Sequence, residues 1–163
     1  MAVIFTTETS RGVVTTTSTV RIVTSGIGIQ GPPGADGAGT LFDAENKSGA
    51  TLAAGTAVAI HSSGTGTIKA IATAYSTLTV GLAAESTSSA VSGDVQTSGP
   101  LTLANWAAIT GTTELAARGR YYLSATTAGM LTTTAPSTGI VQFVGVAISP
   151  TTLDIDPGEG ILL

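Results

Sequence analysis

Gly28-Ile29-Gln30-Gly31-Pro32-Pro33-Gly34-Ala35-Asp36-Gly37-Ala38-Gly39 divides the chain into a short N-terminal zone and a long C-terminal one. Glycine returns at every third position, at Gly28, Gly31, Gly34 and Gly37, and Pro32-Pro33 fill the two places after one of them. A collagen triple helix requires this period, because only glycine fits at its crowded axis, and proline pre-sets the polyproline II backbone. At a rise of about 3.1 Å per residue the run would make a rod of roughly 35–40 Å. Four triplets are too few to hold three chains together alone. The other reading of residues 26–39 is a flexible Gly/Pro linker, which leaves the strict registry around Pro32-Pro33 unexplained.

On the N-terminal side, residues 1–25 contain three β-like segments: Ala2–Phe5, Gly12–Thr17 and Thr19–Thr24. In the last, Val20, Ile22 and Thr24 alternate with Arg21 and Val23, the period of a strand. The zone is too short to enclose a core. It is expected to be a β arm that attaches or assembles by adding strands to another surface, with Val13, Val20 and Ile22 as its contact residues.

Residues 40–163 read as one C-terminal module of short strands. The expected strands are Thr56–His61, Thr67–Ala72, Thr77–Leu82, Asp94–Thr97, Gly119–Ser124, Met130–Thr133, Gln142–Ile148 and Thr152–Ile155. Ser62-Ser63-Gly64, Ser92-Gly93, Gly99-Pro100, Ala128-Gly129 and Ser149-Pro150 separate them. Many short strands with closely spaced turn signals predict a β-sandwich or barrel. Leu101–Ala108 and Glu114–Arg118 are each expected to form one helical turn. The fold expected for the whole chain is therefore all-β and trimeric: arm, collagen-like segment, β-module.

Composition agrees. Hydrophobic residues make up 42% of the chain and charged residues 10%, the reverse of a disordered segment. About a fifth is Thr, a residue that favours pleated surfaces. With aromatics at 4%, the core must rest mainly on Val, Ile, Leu and Ala. The net charge of −4 and six scattered basic residues argue against nucleic acid as a partner. No segment is long and apolar enough to span a bilayer, so no membrane role is expected. With no basic N-terminal region ahead of Ala2–Phe5, synthesis in a cytoplasm is the simplest expectation. Cysteine is absent, which removes disulfides and thiolate metal sites.

Catalytic chemistry finds little purchase. A Ser-His-Asp triad would need His61, the lone His, which closes an apolar strand before a Ser-Gly turn. Asp43 with Glu45, and Asp154 with Asp156, are spaced to share one strand face. Paired acids serve glycosidases, but a solvated polar edge is the simpler reading. Asp154, Asp156 and Glu159 lack the oxygen spacing of a calcium loop. Gly26-Ile27-Gly28-Ile29-Gln30-Gly31 matches a dinucleotide fingerprint in form only, since Pro32-Pro33 stands where a helix must begin. Asn46-Lys47-Ser48 fits a glycosylation sequon, relevant only to a secreted eukaryotic protein. Trp106, Tyr121 and Tyr122 can stack on sugars, but such residues more often plug a core or an interface. No enzymatic activity, cofactor or metal is expected.

Several short runs together resemble a known family. They are Asn46–Val58 (NKSGATLAAGTAV), Val80-Gly81-Leu82-Ala83, Gly93–Gly99 (GDVQTSG), Leu115–Gly119 and Tyr121-Tyr122-Leu123-Ser124. Gly129-Met130-Leu131-Thr132, Pro136, Val144-Gly145-Val146-Ala147 and Leu153-Asp154-Ile155 complete them. From about Leu41 to Leu163 the chain resembles a small β-module of tailed-bacteriophage virion proteins, which include head decoration proteins, head fibres and tail-fibre pieces. The Gly31–Gly37 lead-in also looks like those proteins, where it implies trimers. The resemblance implies a non-enzymatic capsid decoration (cement) protein or short head fibre. It would bind the phage major capsid protein as a homotrimer on the virion surface after synthesis in the host cytoplasm. A tail or collar fibre component that contacts the host surface is the alternative. The family brings no catalytic residues.

Overall fold

The computed structural model describes residues 39–163, which fall within one compact unit. The arm residues Val13, Val20 and Ile22, and the triplet residues Gly28, Gly31, Pro32, Pro33, Gly34 and Gly37, lie outside the described residues.

The described chain is all-β, built from antiparallel sheets. The first sheet holds β1 (Leu41–Glu45), β2 (Ala57–Ile60), β3 (Thr67–Lys69), β4 (Gly81–Ala83) and β5 (Ser92–Gln96), in the order β1-β5-β4-β2-β3. The second holds β6 (Gly99–Thr102), β7 (Arg120–Leu123), β8 (Leu131–Thr132), β10 (Phe143–Ala147) and β11 (Thr152–Ile155), in the order β6-β11-β10-β7-β8. β9 (Ile140–Val141) and β12 (Ile161–Leu162) make a small two-stranded ribbon. One four-residue helix, α1 (Ala107–Thr110), ends at Gly111 in the left-handed conformation, φ 78°.

The two larger sheets contribute unlike side chains to a shared core. The first supplies mostly small residues, Ala57, Ala59 and Ala70 with Leu82. The second and its loops supply bulk: Trp106, Ile109, Leu115, Tyr121, Leu123, Leu131, Leu153 and Ile155. Small opposite large lets two layers interdigitate without voids. Gly55 is part of this fit. Its φ is +83°, and a Cβ there would press on Leu103, Ile109 and the Trp106 ring. A second, smaller cluster, Leu52, Val58, Ala83 and Val95 with Phe42 and Ala44 against it, covers the opposite face of the first sheet.

Turn chemistry employs part of the Ser/Thr content. At turn after turn a side chain at position i accepts the backbone N–H of i+2. Ser48 donates to Asn46 Oδ1 (3.0 Å), Thr126 to Ser124 Oγ (3.2 Å), Thr134 to Thr132 Oγ1 (3.1 Å) and Thr151 to Ser149 Oγ (3.2 Å). These contacts close loops locally and mimic a backbone turn.

Five expectations are corrected. Thr77–Leu82 is not a continuous strand. A 3-10 turn occupies Tyr75–Thr77, and β4 begins only at Gly81. Side chains tie this segment down instead of a ladder: Thr77 Oγ1 donates to the carbonyl of Ile71, and Thr79 Oγ1 to that of Val58. Two expected separators open strands instead, Ser92-Gly93 at the start of β5 and Gly99-Pro100 at the start of β6. Proline is tolerated because β6 is an edge among the described strands, so its missing N–H faces no described partner strand. The first expected helical turn sits later than predicted, since Leu101 and Thr102 are strand and α1 starts after Trp106. Glu114–Arg118 is not helical. Its backbone bonds outward, Leu115 N–H to the Pro150 carbonyl and Arg118 N–H to that of Ala147.

Candidate interaction surfaces

Of the polar and aromatic residues singled out from sequence, Asn46, Trp106, Tyr121 and His61 serve as internal fastenings. Asn46 is buried. Its Nδ2 donates to the carbonyls of Ala50 (2.8 Å) and Thr87 (2.9 Å), and its Oδ1 accepts from the backbone and hydroxyl of Ser48. The sequon asparagine is thus consumed by the fold. Trp106 is fully buried, with Nε1 donating to the Thr151 carbonyl at 2.9 Å. Tyr121 is equally buried, and its hydroxyl accepts the Ala116 N–H. Both rings have the interior role the sequence favoured for them. Tyr122 differs. It stands half-exposed on the outer face of the second sheet, edge-on to Phe143 at 6.1 Å, with the Arg120 guanidinium 5.9 Å from the Phe143 ring centre.

His61 lies just past β2. Its Nδ1 accepts the Ser63 N–H (3.1 Å) and meets Ser63 Oγ at 2.8 Å, so the imidazole closes its own turn. Asp43 and Glu45 do share the exposed face of β1. Glu45 pairs with Lys47 at 3.7 Å, an exposed contact of small worth. Asp154 and Asp156 are exposed at and just beyond the end of β11. Among the described residues no three His, Asp or Glu side chains converge as metal ligands would.

Sequence reasoning missed Gln142 and Thr79. Gln142 Oε1 accepts the Thr79 N–H (2.8 Å), while its Nε2 donates to the carbonyls of Thr79 (2.9 Å) and Gly158 (3.0 Å). Only their apolar setting in the sequence hinted that these polar residues would be buried.

Three surface features remain open. β12 carries Ile161 and Leu162, and Leu163 follows it, each close to two-thirds exposed. An open groove of about 460 Å³ runs beside α1, lined by Thr110, Thr112, Glu114, Thr132 and Thr133 over a floor of Leu115 and Tyr121. The entry to β1 is the third. Thr40 is stitched to the β5–β6 turn: its carbonyl accepts the Thr97 N–H (2.8 Å) and hydroxyl (3.0 Å), and its own N–H donates to Ser98 Oγ (3.3 Å). A Cβ on Gly39 would overlap the Ser98 carbonyl and the Gln96 amide, so the backbone already hugs the module at residue 39. No protein-family model, curated protein or solved structure matches the chain.

Proposed function

We propose that this chain is a non-enzymatic structural protein of a tailed-phage virion, a capsid decoration protein or short head fibre that binds the major capsid protein as a homotrimer and stabilises the shell. The observation that carries the reading is the junction at Gly39-Thr40. In sequence the Gly-X-Y run is followed at once by the all-β module, whose first residues are held in place, Thr40 being hydrogen-bonded to Thr97 and Ser98. A triple-helical rod there would gather three modules at one point, and a closed trimer suits the three-fold positions of a capsid lattice. Side chains spent on internal hydrogen bonds, as at Asn46, Trp106, Tyr121 and Gln142, suit rigidity. A protein that binds only the assembled shell stabilises it by mass action. Residues 1–25 would attach by strand addition, with Val13, Val20 and Ile22 in the contact.

Image reconstruction of the intact particle tests the location. The reading expects density at many repeated lattice positions. A few trimers confined to the tail would replace it with the tail or collar fibre reading, which the hydroxyl-lined groove beside α1 favours as a place for a host glycan. Light scattering of the purified full chain tests assembly. A trimer is expected, weakened by Gly34→Val, whose side chain has no room at a triple-helix axis. A stable monomer that also makes no three-fold contact on particles would remove the trimeric reading.

A further inference from the structure

We infer that Leu41 forms the first contact between C-terminal modules, the three copies of this side chain meeting around the molecular axis just past the end of the Gly-X-Y run; the inference rests on the trimeric reading above. An extended chain covers at most about 3.5 Å per residue, so Leu41 lies within about 14 Å of Gly37, the last axial glycine, and about 7 Å of Gly39. Gly39 and Thr40, the two residues before Leu41, are held against Gln96, Thr97 and Ser98. Three chains leaving one rod would therefore each start their module with Leu41 within this reach of the axis.

The side chain suits that position. Leu41 is 50% exposed, although its cross-strand row continues through Gln96 to Leu82, which is wholly buried. The same face of the first sheet that covers the main core thus runs past the reach of the second sheet and ends on an uncovered leucine. Among the described strands β1 is also at an edge. The other side chains on this face set the limit of the contact. Asp43 stands directly opposite Asp94, and Glu45 follows, all exposed. Bringing nine carboxylates from three copies together would cost more than apolar burial returns, so the modules touch at the Leu41 row and diverge beyond it. The occupants of the leucine's open side are two further copies of this chain.

Because the chain has no cysteine, a single introduced thiol reports one position alone. The full-length Leu41→Cys variant is treated with a short bismaleimide at the concentration where light scattering is recorded. Ser62→Cys is the control. Ser62 is exposed in the turn after β2, where Lys47, just past the far end of β1, bonds Thr65. In a closed trimer of Leu41→Cys a bifunctional reagent should convert about two of every three chains to covalent dimers, and Ser62→Cys should stay near background. A trimer in which Leu41→Cys cross-links no better than Ser62→Cys overturns this inference and leaves the trimer standing. A monomeric wild-type chain overturns both. Leu41→Lys supplies a second readout, with buried Trp106 emission as the check that the module is folded. Dissociation of a wild-type trimer by Leu41→Lys supports the contact, and an unchanged trimer–monomer midpoint counts against it.

Discussion

The side-chain amide of Gln142 pairs with the backbone of Thr79 on both edges, accepting its N–H at 2.8 Å and donating to its carbonyl at 2.9 Å. One glutamine thereby replaces a neighbouring strand for a residue 63 positions away, and both residues are buried. Replacing Gln142 with Leu should cost about 2–5 kcal/mol in urea denaturation, because two buried backbone groups of Thr79 and the part-buried Gly158 carbonyl lose their partner. Gln142→Glu keeps one acceptor and loses both donors while ionised. A buried carboxyl without a cation has its folded pKa raised, so this variant should be most stable below the ordinary Glu range and lose stability as pH rises from there to the raised folded pKa. A flat pH profile for Gln142→Glu would mean that water already reaches the site.

Trp106 is the only tryptophan and is wholly buried, so its emission should be blue-shifted and should move to longer wavelength on unfolding. Trp106→Ala should cost about 3–5 kcal/mol. Trp106→Phe should cost less, chiefly the hydrogen bond to the Thr151 carbonyl and part of the ring volume. Addition of host glycans should leave the emission of the folded protein unchanged at Trp106. A saturable quench would show that the ring is reachable.

Gly55 and Gly64 both adopt positive φ, at +83° and +75°, but only Gly55 faces atoms at Cβ distance. Gly64→Ala should cost about 1–2 kcal/mol, the strain of a left-handed non-glycine residue. Gly55→Ala should exceed that by about 1–3 kcal/mol through overpacking against Trp106, Ile109 and Leu103. Equal melting temperatures for the two variants would refute the close fit of the layers.

Asn46→Asp exchanges the Nδ2 amide, which donates to the carbonyls of Ala50 and Thr87, for a carboxylate oxygen facing both of them. A loss of about 2–4 kcal/mol at neutral pH is expected in thermal or chemical denaturation. Lys47→Ala, which removes only exposed contacts with Glu45 and Thr65, should change stability by less than about 1 kcal/mol.

How much of this could be read from residues alone depends on the range of the interaction. The class of fold was legible because strand signals are local. Thr152–Ile155 alternates as a half-buried strand should, and the structure has β11 at those same residues, with Leu153 and Ile155 inside and Asp154 out. Glycine and serine turns around β2, β7 and β10 were likewise visible, since turn chemistry is decided within a few positions. The exposed pairing of Asp43 with Glu45 followed from a period of two. The triplet register of Gly28–Gly37 is a property of sequence alone, and the trimer, arm and capsid role proposed here rest on it and on the resemblance of the module.

Tertiary structure decided what depends on distant partners. β6 contains Pro100 and reads locally as a break. It becomes a strand because β11 lies beside it and the proline sits at an edge. β1, β9 and β12 carry weak or very short signals and exist through pairing with β5 and with each other. Glu114–Arg118 has helix-forming residues, yet its N–H groups are claimed by Pro150 and Ala147, more than two dozen positions away. Gln142 met Thr79, and Trp106 met Thr151, across separations that no local pattern encodes. The physical reason is common to all of them. Propensity and turn bonding act within a few residues, whereas burial of a polar group is decided by whichever remote segment can satisfy it, and that partner is chosen only when the sheets pack.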